Sequence, residues 1–189
     1  MARYDGLYVN SPKVTAASVA RADCRVKIVA RHGVGYDSVD LKALADRGIM
    51  LTGGGALLRD IDRRYISYNF DIAHATIEGG LGGWLHSTRL AMPHMGGIAL
   101  KDFLWGRGGN GKWRVDWCPI GDGMVQTVEF LRMAKAGGFS GPVQVHYEYD
   151  LGGADKGAAK ISIPKAQVFA AMKKDLDKLR AAAAQAGWA

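Results

Sequence analysis

The sequence predicts an α/β protein built on a parallel sheet of five or six strands with covering helices, and three observations carry that reading. Short apolar runs alternate with helical patterns along the chain, as parallel strands joined by helical crossovers require. Residues that start and stop helices fall where those patterns change. The chain also closes on a long amphipathic stretch that suits a covering helix.

The elements follow in order. "DGLYVN", "VKIVARHG" and "IMLT" read as strands, with "TAASVARA" and "DLKALADRG" as the helices between them. Thr15 and Asp40 can cap those helices and Gly48 can end the second. After the "GGG" at 53–55 come "YISYNFDIAHA", "GGWLHSTRLAM", "GGIALKDFLW", "TVEFLRMAKAG" and "PVQVHYEYDL". The "IEGG" that follows "NFDIAHAT" reads as the chain turning away from a strand tip. Gly137 can stop a helix, and Pro164 suits the first turn of the last one, about 164–186. That helix sets Val168, Met172, Leu176 and Leu179 on one face, with Lys173, Lys174, Asp177 and Lys178 mostly elsewhere.

Composition bounds the function. The 189 residues are 48% hydrophobic and 23% charged, which is ordinary for a globular protein. The net charge of +7 favours anionic small molecules. The basic residues are scattered, and in "RDIDRR" and "KKDLDKLR" acidic residues interleave, so a solvated face is expected rather than a nucleic-acid footprint. Cys24 and Cys118 match no disulfide or structural-zinc spacing. No apolar run suits a signal peptide or a membrane span. A cytoplasmic protein without nucleic-acid or membrane partners is expected.

The residues that carry chemistry lie at strand tips. Side chains alternate across a strand, so Ser67, Asn69 and Asp71 share one face, as do Gln144, His146 and Glu148. Polar side chains on one face of otherwise apolar strands point to a site. Lys101 can place a cation there, pair with Asp71 or Glu148 and remove the need for a metal, or serve as a base. His32, His86 and His94 have no partner at ligand spacing and read as surface or helix residues. Asp102 reads as a hydrogen-bond acceptor for its loop. Trp84, Trp105, Trp113 and Trp117 lie near glycine-rich loops, where they either cover a sugar-binding mouth or pack on the core.

Two resemblances meet at the glycines. "DGLYVN" and "VKIVARHGVGYDSVDLKALADRGI" resemble the flavodoxin-like substrate domain of the D-2-hydroxyacid dehydrogenases over 1–52. That resemblance implies that the backbone of Gly33, Val34 and Gly35 approaches a substrate carboxylate, or that the loop is only a strand-to-helix turn. The family's nicotinamide domain has no counterpart, so no NAD and no dehydrogenase activity are expected. Residues 53–55 read as an ordinary loop or as a junction.

The rest, 56–189, resembles the last three βα units of the xylose-isomerase-like TIM-barrel sugar phosphate isomerases and epimerases. The motifs are "ALLRDIDRRYISYNFDIAHATIEGGLGGW", "GGIALKDFLW", "WCPIGDGMV", "GFSGPVQVHYEYDLGG" and "ISIPKAQVFAAMKKDLDKLR". This resemblance implies Asp71 and Glu148 as ligands of Mn²⁺, Mg²⁺ or Co²⁺. It makes His74 a substrate contact. Together with the strand-face reading, His146 is a further candidate contact, and Glu148, Lys101 and His74 form the candidate catalytic set. The chain departs from the family by lacking the glutamate of an earlier strand and by carrying Ala99 where the family has a histidine. Three functions stay open: an isomerase or epimerase of a small, possibly anionic, sugar with activity retained or lost, a metal-assisted hydrolase, and a recombined non-catalytic scaffold. Three βα units cannot close a barrel of eight, so open strand edges imply a homo-oligomer, most simply a dimer.

Overall fold

The computed structural model describes residues 3–9, 12–31, 38–53, 62, 64 and 67–188. The chain divides into two compact units, Met1–Ile66 and Ser67–Ala189. The "HGVG" loop with Gly33, Val34 and Gly35 lies outside the described residues, as do Gly54 and Gly55.

In the first unit three short strands, β1 (Gly6–Val9), β2 (Ile28–Arg31) and β3 (Met50–Gly53), run parallel in that order. Ile28 pairs with Gly6 on one side and Met50 on the other. The connections contain α1 (Ala16–Val19) and α2 (Leu41–Ala45). Asp40 caps α2 by accepting the Ala43 amide at 2.9 Å, the role its position ahead of an apolar helix predicts. Gly48 follows with φ 63°, a left-handed turn that glycine adopts without a Cβ clash. The core is aliphatic throughout, from Val14, Val19, Val26, Val29, Val39, Ala43, Leu44 and Ile49.

The second unit holds a parallel sheet in the order β4 (Tyr68–Asp71), β5 (Met95–Leu100) and β8 (Val143–Val145). Between β5 and β8 the chain makes an antiparallel ribbon of β6 (Asp102–Arg107) and β7 (Trp113–Cys118). The helices are α3 (Ile72–Ala91), α4 (Thr127–Ala136) and α5 (Lys165–Gln185). One face of α5 turns Val168 and Leu179 inward, as its period predicts. Phe70 of β4 stacks on Phe130 of α4 with ring centroids 5.6 Å apart.

Two sequence expectations need correction. The described strands form sheets of three, three and two strands, where one sheet of five or six was expected. The origin of the two-stranded sheet is visible at Lys101. "GGIALKDFLW" reads as one strand, but β5 ends at Leu100 and β6 begins at Asp102, because local pairing with 113–118 competes with continuing the parallel sheet. Next, "IEGG" is not where the chain leaves the strand tip: α3 starts directly after Asp71 and is interrupted only at Gly80, where φ is 67° and ψ −175°. Gly137 ends α4 as expected, with an ordinary negative φ of −78°, and the left-handed residue is the next one, Gly138, at φ 75°. Among the described residues no helix is long and apolar enough to cross a membrane.

Candidate functional site

The site is built where β4, β5 and the chain beyond β8 end side by side. Asp71 pairs in register with Ala99, and Ala99 with Gln144. This aligns one polar face across three parallel strands. Glycine at position 97 keeps the row close: a Cβ there would lie 2.8 Å from Asn69 Oδ1. Across this gap Asn69 Nδ2 donates to Gln144 Oε1 at 3.4 Å.

Asp71 has two tasks. Its Oδ1 accepts the His74 amide at 3.0 Å and so caps α3, which explains why a strand tip carries an aspartate three residues before the histidine. Its Oδ2 lies 3.1 Å from Lys101 Nζ. Lys101 also donates to Glu148 Oε1 at 2.6 Å and reaches His74 Nε2 at 2.8 Å. An ammonium has three donors and no acceptor. With Lys101 as the ammonium, Nε2 of His74 is the acceptor of this contact. The two carboxylates thus converge, Asp71 from the end of β4 and Glu148 from the chain beyond β8, with the lysine between them.

Exposure grades across the cluster. The side chain of Lys101 is 3% exposed and that of Asp71 17%, whereas Glu148 is 37% and His74 48% exposed. Glu148 and His74 therefore form the solvent side of the site. His146 borders it: Nδ1 is 4.0 Å from Glu148 Oε1 and Nε2 is 3.5 Å from Gln144 Oε1.

Trp117 closes the cluster from the ribbon. Its ring centroid is 4.5 Å from Lys101 Nζ and 5.7 Å from the His74 ring. A desolvated ammonium over an indole face gains roughly 2 kcal/mol. Sequence reading placed Trp117 near a mouth but missed this contact. The signal is the alternation Phe103, Trp105, Arg107 against Trp113, Val115, Trp117, a period of two that glycines on either side obscure. Trp84, by contrast, is a core residue at 3% exposure.

Asp102, next to Lys101, is equally buried and differently used. It accepts the amides of Phe103, Gly121, Gly123 and Val125 at 2.9 to 3.2 Å. Gly123 must be glycine for this, since a Cβ would lie 2.2 Å from Asp102 Oδ1. The expectation that Asp102 ties down its loop describes this arrangement. Deeper under α5, Asp175 is 1% exposed and accepts from the Tyr149 hydroxyl at 2.9 Å. Burial pushes its carboxyl above the ordinary range, against the opposing Tyr149 hydrogen bond.

A parallel strand-helix unit with an acid-lysine-histidine cluster at its strand tips defines a class of α/β proteins with a strand-tip site, and comparison supplies the family. The family model described as xylose isomerase-like TIM barrel matches residues 52–187, and the chain belongs to that family. Residues 1–57 match a second model, the catalytic domain of D-isomer specific 2-hydroxyacid dehydrogenases. No curated protein matches the chain. Two solved structures are similar at low identity. One is a xylose isomerase domain protein from Planctomyces limnophilus, 19% identical with a TM-score of 0.42 over 80% of this chain. The chain spans 62% of the length of that protein. The other is a xylose isomerase-like TIM barrel protein from Mycobacterium smegmatis in complex with magnesium, 12% identical with a TM-score of 0.48, covering 95% of this chain and 74% of that one.

Proposed function

We propose that the Ser67–Ala189 unit performs sugar isomerisation or epimerisation by proton transfer, with the Lys101 ammonium where a divalent metal would otherwise sit. The observation that carries this reading is the position of Lys101 Nζ, 2.6 Å from Glu148 and 3.1 Å from Asp71.

The donor set does not fit a divalent ion held by this chain alone. The ammonium stands between the two carboxylates, Ala99 offers no ligand, and among the described residues no three His, Cys, Asp or Glu side chains gather as metal ligands. A fixed cation in a desolvated pocket stabilises developing negative charge without reorganising.

The chemistry follows from the exposure gradient. The oxygen of an α-hydroxy carbonyl sugar displaces His74 from Lys101 and takes its hydrogen bond. Glu148 spends Oε1 on Lys101, and its second oxygen removes the proton from the carbon beside the carbonyl. The electron pair forms an enediolate whose negative oxygen faces the ammonium. His74, freed at the solvent side, moves a proton between the two oxygens, and Glu148 returns its proton to the neighbouring carbon or, once the enediolate has turned over, to the opposite face of the first. One ammonium against two carboxylates leaves a formal charge of −1, so the anionic group of a sugar phosphate would have to lie away from it.

Proton exchange tests this. Chelator-treated protein in D₂O with xylose, glucose, fructose and glucose 6-phosphate should exchange the proton next to the carbonyl of at least one sugar, as read by NMR. Lys101→Met and Glu148→Gln should each remove the exchange. An exchange that needs added Mn²⁺ and survives Lys101→Met would refute the ammonium reading, as would no exchange with any sugar.

A further inference from the structure

The β6–β7 ribbon has two unlike faces. Cross-strand register puts Phe103 opposite Trp117, Trp105 opposite Val115 and Arg107 opposite Trp113 on one face. At its base Trp117 covers Lys101 and meets the fully buried Phe103 edge-on at 6.3 Å. One step outward Trp105 packs edge-on against Phe103 at 5.7 Å and remains 41% exposed. Another step outward the Arg107 guanidinium lies 4.8 Å from the centroid of the Trp113 ring.

Each step of two residues advances about 7 Å along a strand, close to the length of one sugar ring. A monosaccharide beside Lys101 therefore ends where Trp105 begins. The C–H faces of sugar rings are apolar and stack on aromatic rings, whereas their hydroxyls keep hydrogen-bonding at the edge. A phosphate on a monosaccharide would meet the apolar Trp105 and Val115 step, one step short of the guanidinium. A second ring would stack on Trp105 and present its outer hydroxyls to Arg107.

We propose that this ribbon face is a second subsite, which holds the distal ring of a two-ring sugar whose first ring keeps its free carbonyl and reacts beside Lys101. The assignment rests on the sugar reading of the site above. Trp105 is its stacking platform, and Arg107, held flat by Trp113, is the polar stop at its outer end.

Calorimetric titration with cellobiose, 4-nitrophenyl glucoside, glucose and glucose 6-phosphate tests it. Both two-ring glycosides should bind at least tenfold more tightly than either single-ring sugar. Trp105→Ala should remove that advantage without changing glucose binding, and Trp105→Phe should restore most of it. A preference for only one of the two glycosides, lost in Trp105→Ala, would identify the distal ring as sugar or aromatic. Equal affinity for one-ring and two-ring ligands, an unchanged preference in Trp105→Ala, or no saturable binding of either glycoside would overturn the subsite. The two proposals fail separately. Glycoside binding that depends on Trp105 without proton exchange on any bound sugar would sink the isomerase reading and leave the subsite. Exchange on monosaccharides with no two-ring preference would do the reverse.

Discussion

Among the described residues the buried core on the sheet β1–β2–β3 is valine, alanine, leucine and isoleucine, whereas the unit around β4–β5–β8 also buries Lys101, Asp102 and Asp175. Among the described residues, every polar or charged residue that is buried as a whole belongs to that second unit, while the first buries the Ser38 hydroxyl oxygen. The ion pairs described in the first, such as Arg21–Asp23 and Lys42–Asp46, are exposed and contribute little. Both sheets use parallel strands with helical connections, so topology does not separate them. Removing a charge from water costs several kcal/mol unless partners replace the solvent. Aliphatic packing suffices to hold a parallel sheet, and so the buried charges of the second unit are the part of the molecule that needs a chemical explanation.

Removing one partner at a time sharpens this contrast. The largest effect is expected for Asp102→Ala, which strands four backbone amides. A loss of about 4 kcal/mol should be read by urea unfolding, since a buried donor without a partner costs about 1 to 3 kcal/mol. A loss below about 1 kcal/mol would mean that water replaces the carboxylate and that burial there is incidental.

Lys101→Met comes next, at about 3 kcal/mol, because it leaves two carboxylates facing each other without their cation. Adding Asp71→Asn and Glu148→Gln should recover part of that loss. If the triple variant is no more stable than the single one, the lysine acts through packing, and its comparison with an aliphatic core residue holds no electrostatic content.

The smallest effect is a slope. Burial raises the Asp175 carboxyl above its ordinary 3.8, so the folded chain holds that proton more tightly than the unfolded one. Its contribution is most favourable below the unfolded value and declines as pH climbs through the raised one. Asp175→Asn keeps an acceptor for Tyr149 and removes the titration. Urea midpoints measured between pH ~4 and 7 should therefore fall less steeply for the variant. Equal slopes would show that Asp175 does not titrate differently on folding.

Much of the site was legible before any coordinates. Alternation along "YISYNFD" and "PVQVHYEYD" put Asp71 and Glu148 on equivalent faces, and "LKD" two residues past Ala99 put Lys101 with them. Asp40 announced its helix, because capping depends only on neighbours three residues away. The ribbon was not legible. "DFLWGR" and "WRVDWC" carry a period of two, but whether Asp102 continues β5 or starts a new strand depends on a partner segment some way down the chain.

The sequence by itself determined the parallel strand-helix plan, the helix ends and the polar face, because each follows from periodicity or from contacts within a turn. Only the tertiary structure decided that Lys101 stands between Asp71 and Glu148, that Trp117 covers it and that Asp102 turns to backbone amides instead. Those outcomes depend on where residues from separate strands, a ribbon and a loop come within 5 Å of one another. Charge and hydrogen-bonding capacity are properties of a residue, but the partner that satisfies them when it is buried is a property of the fold.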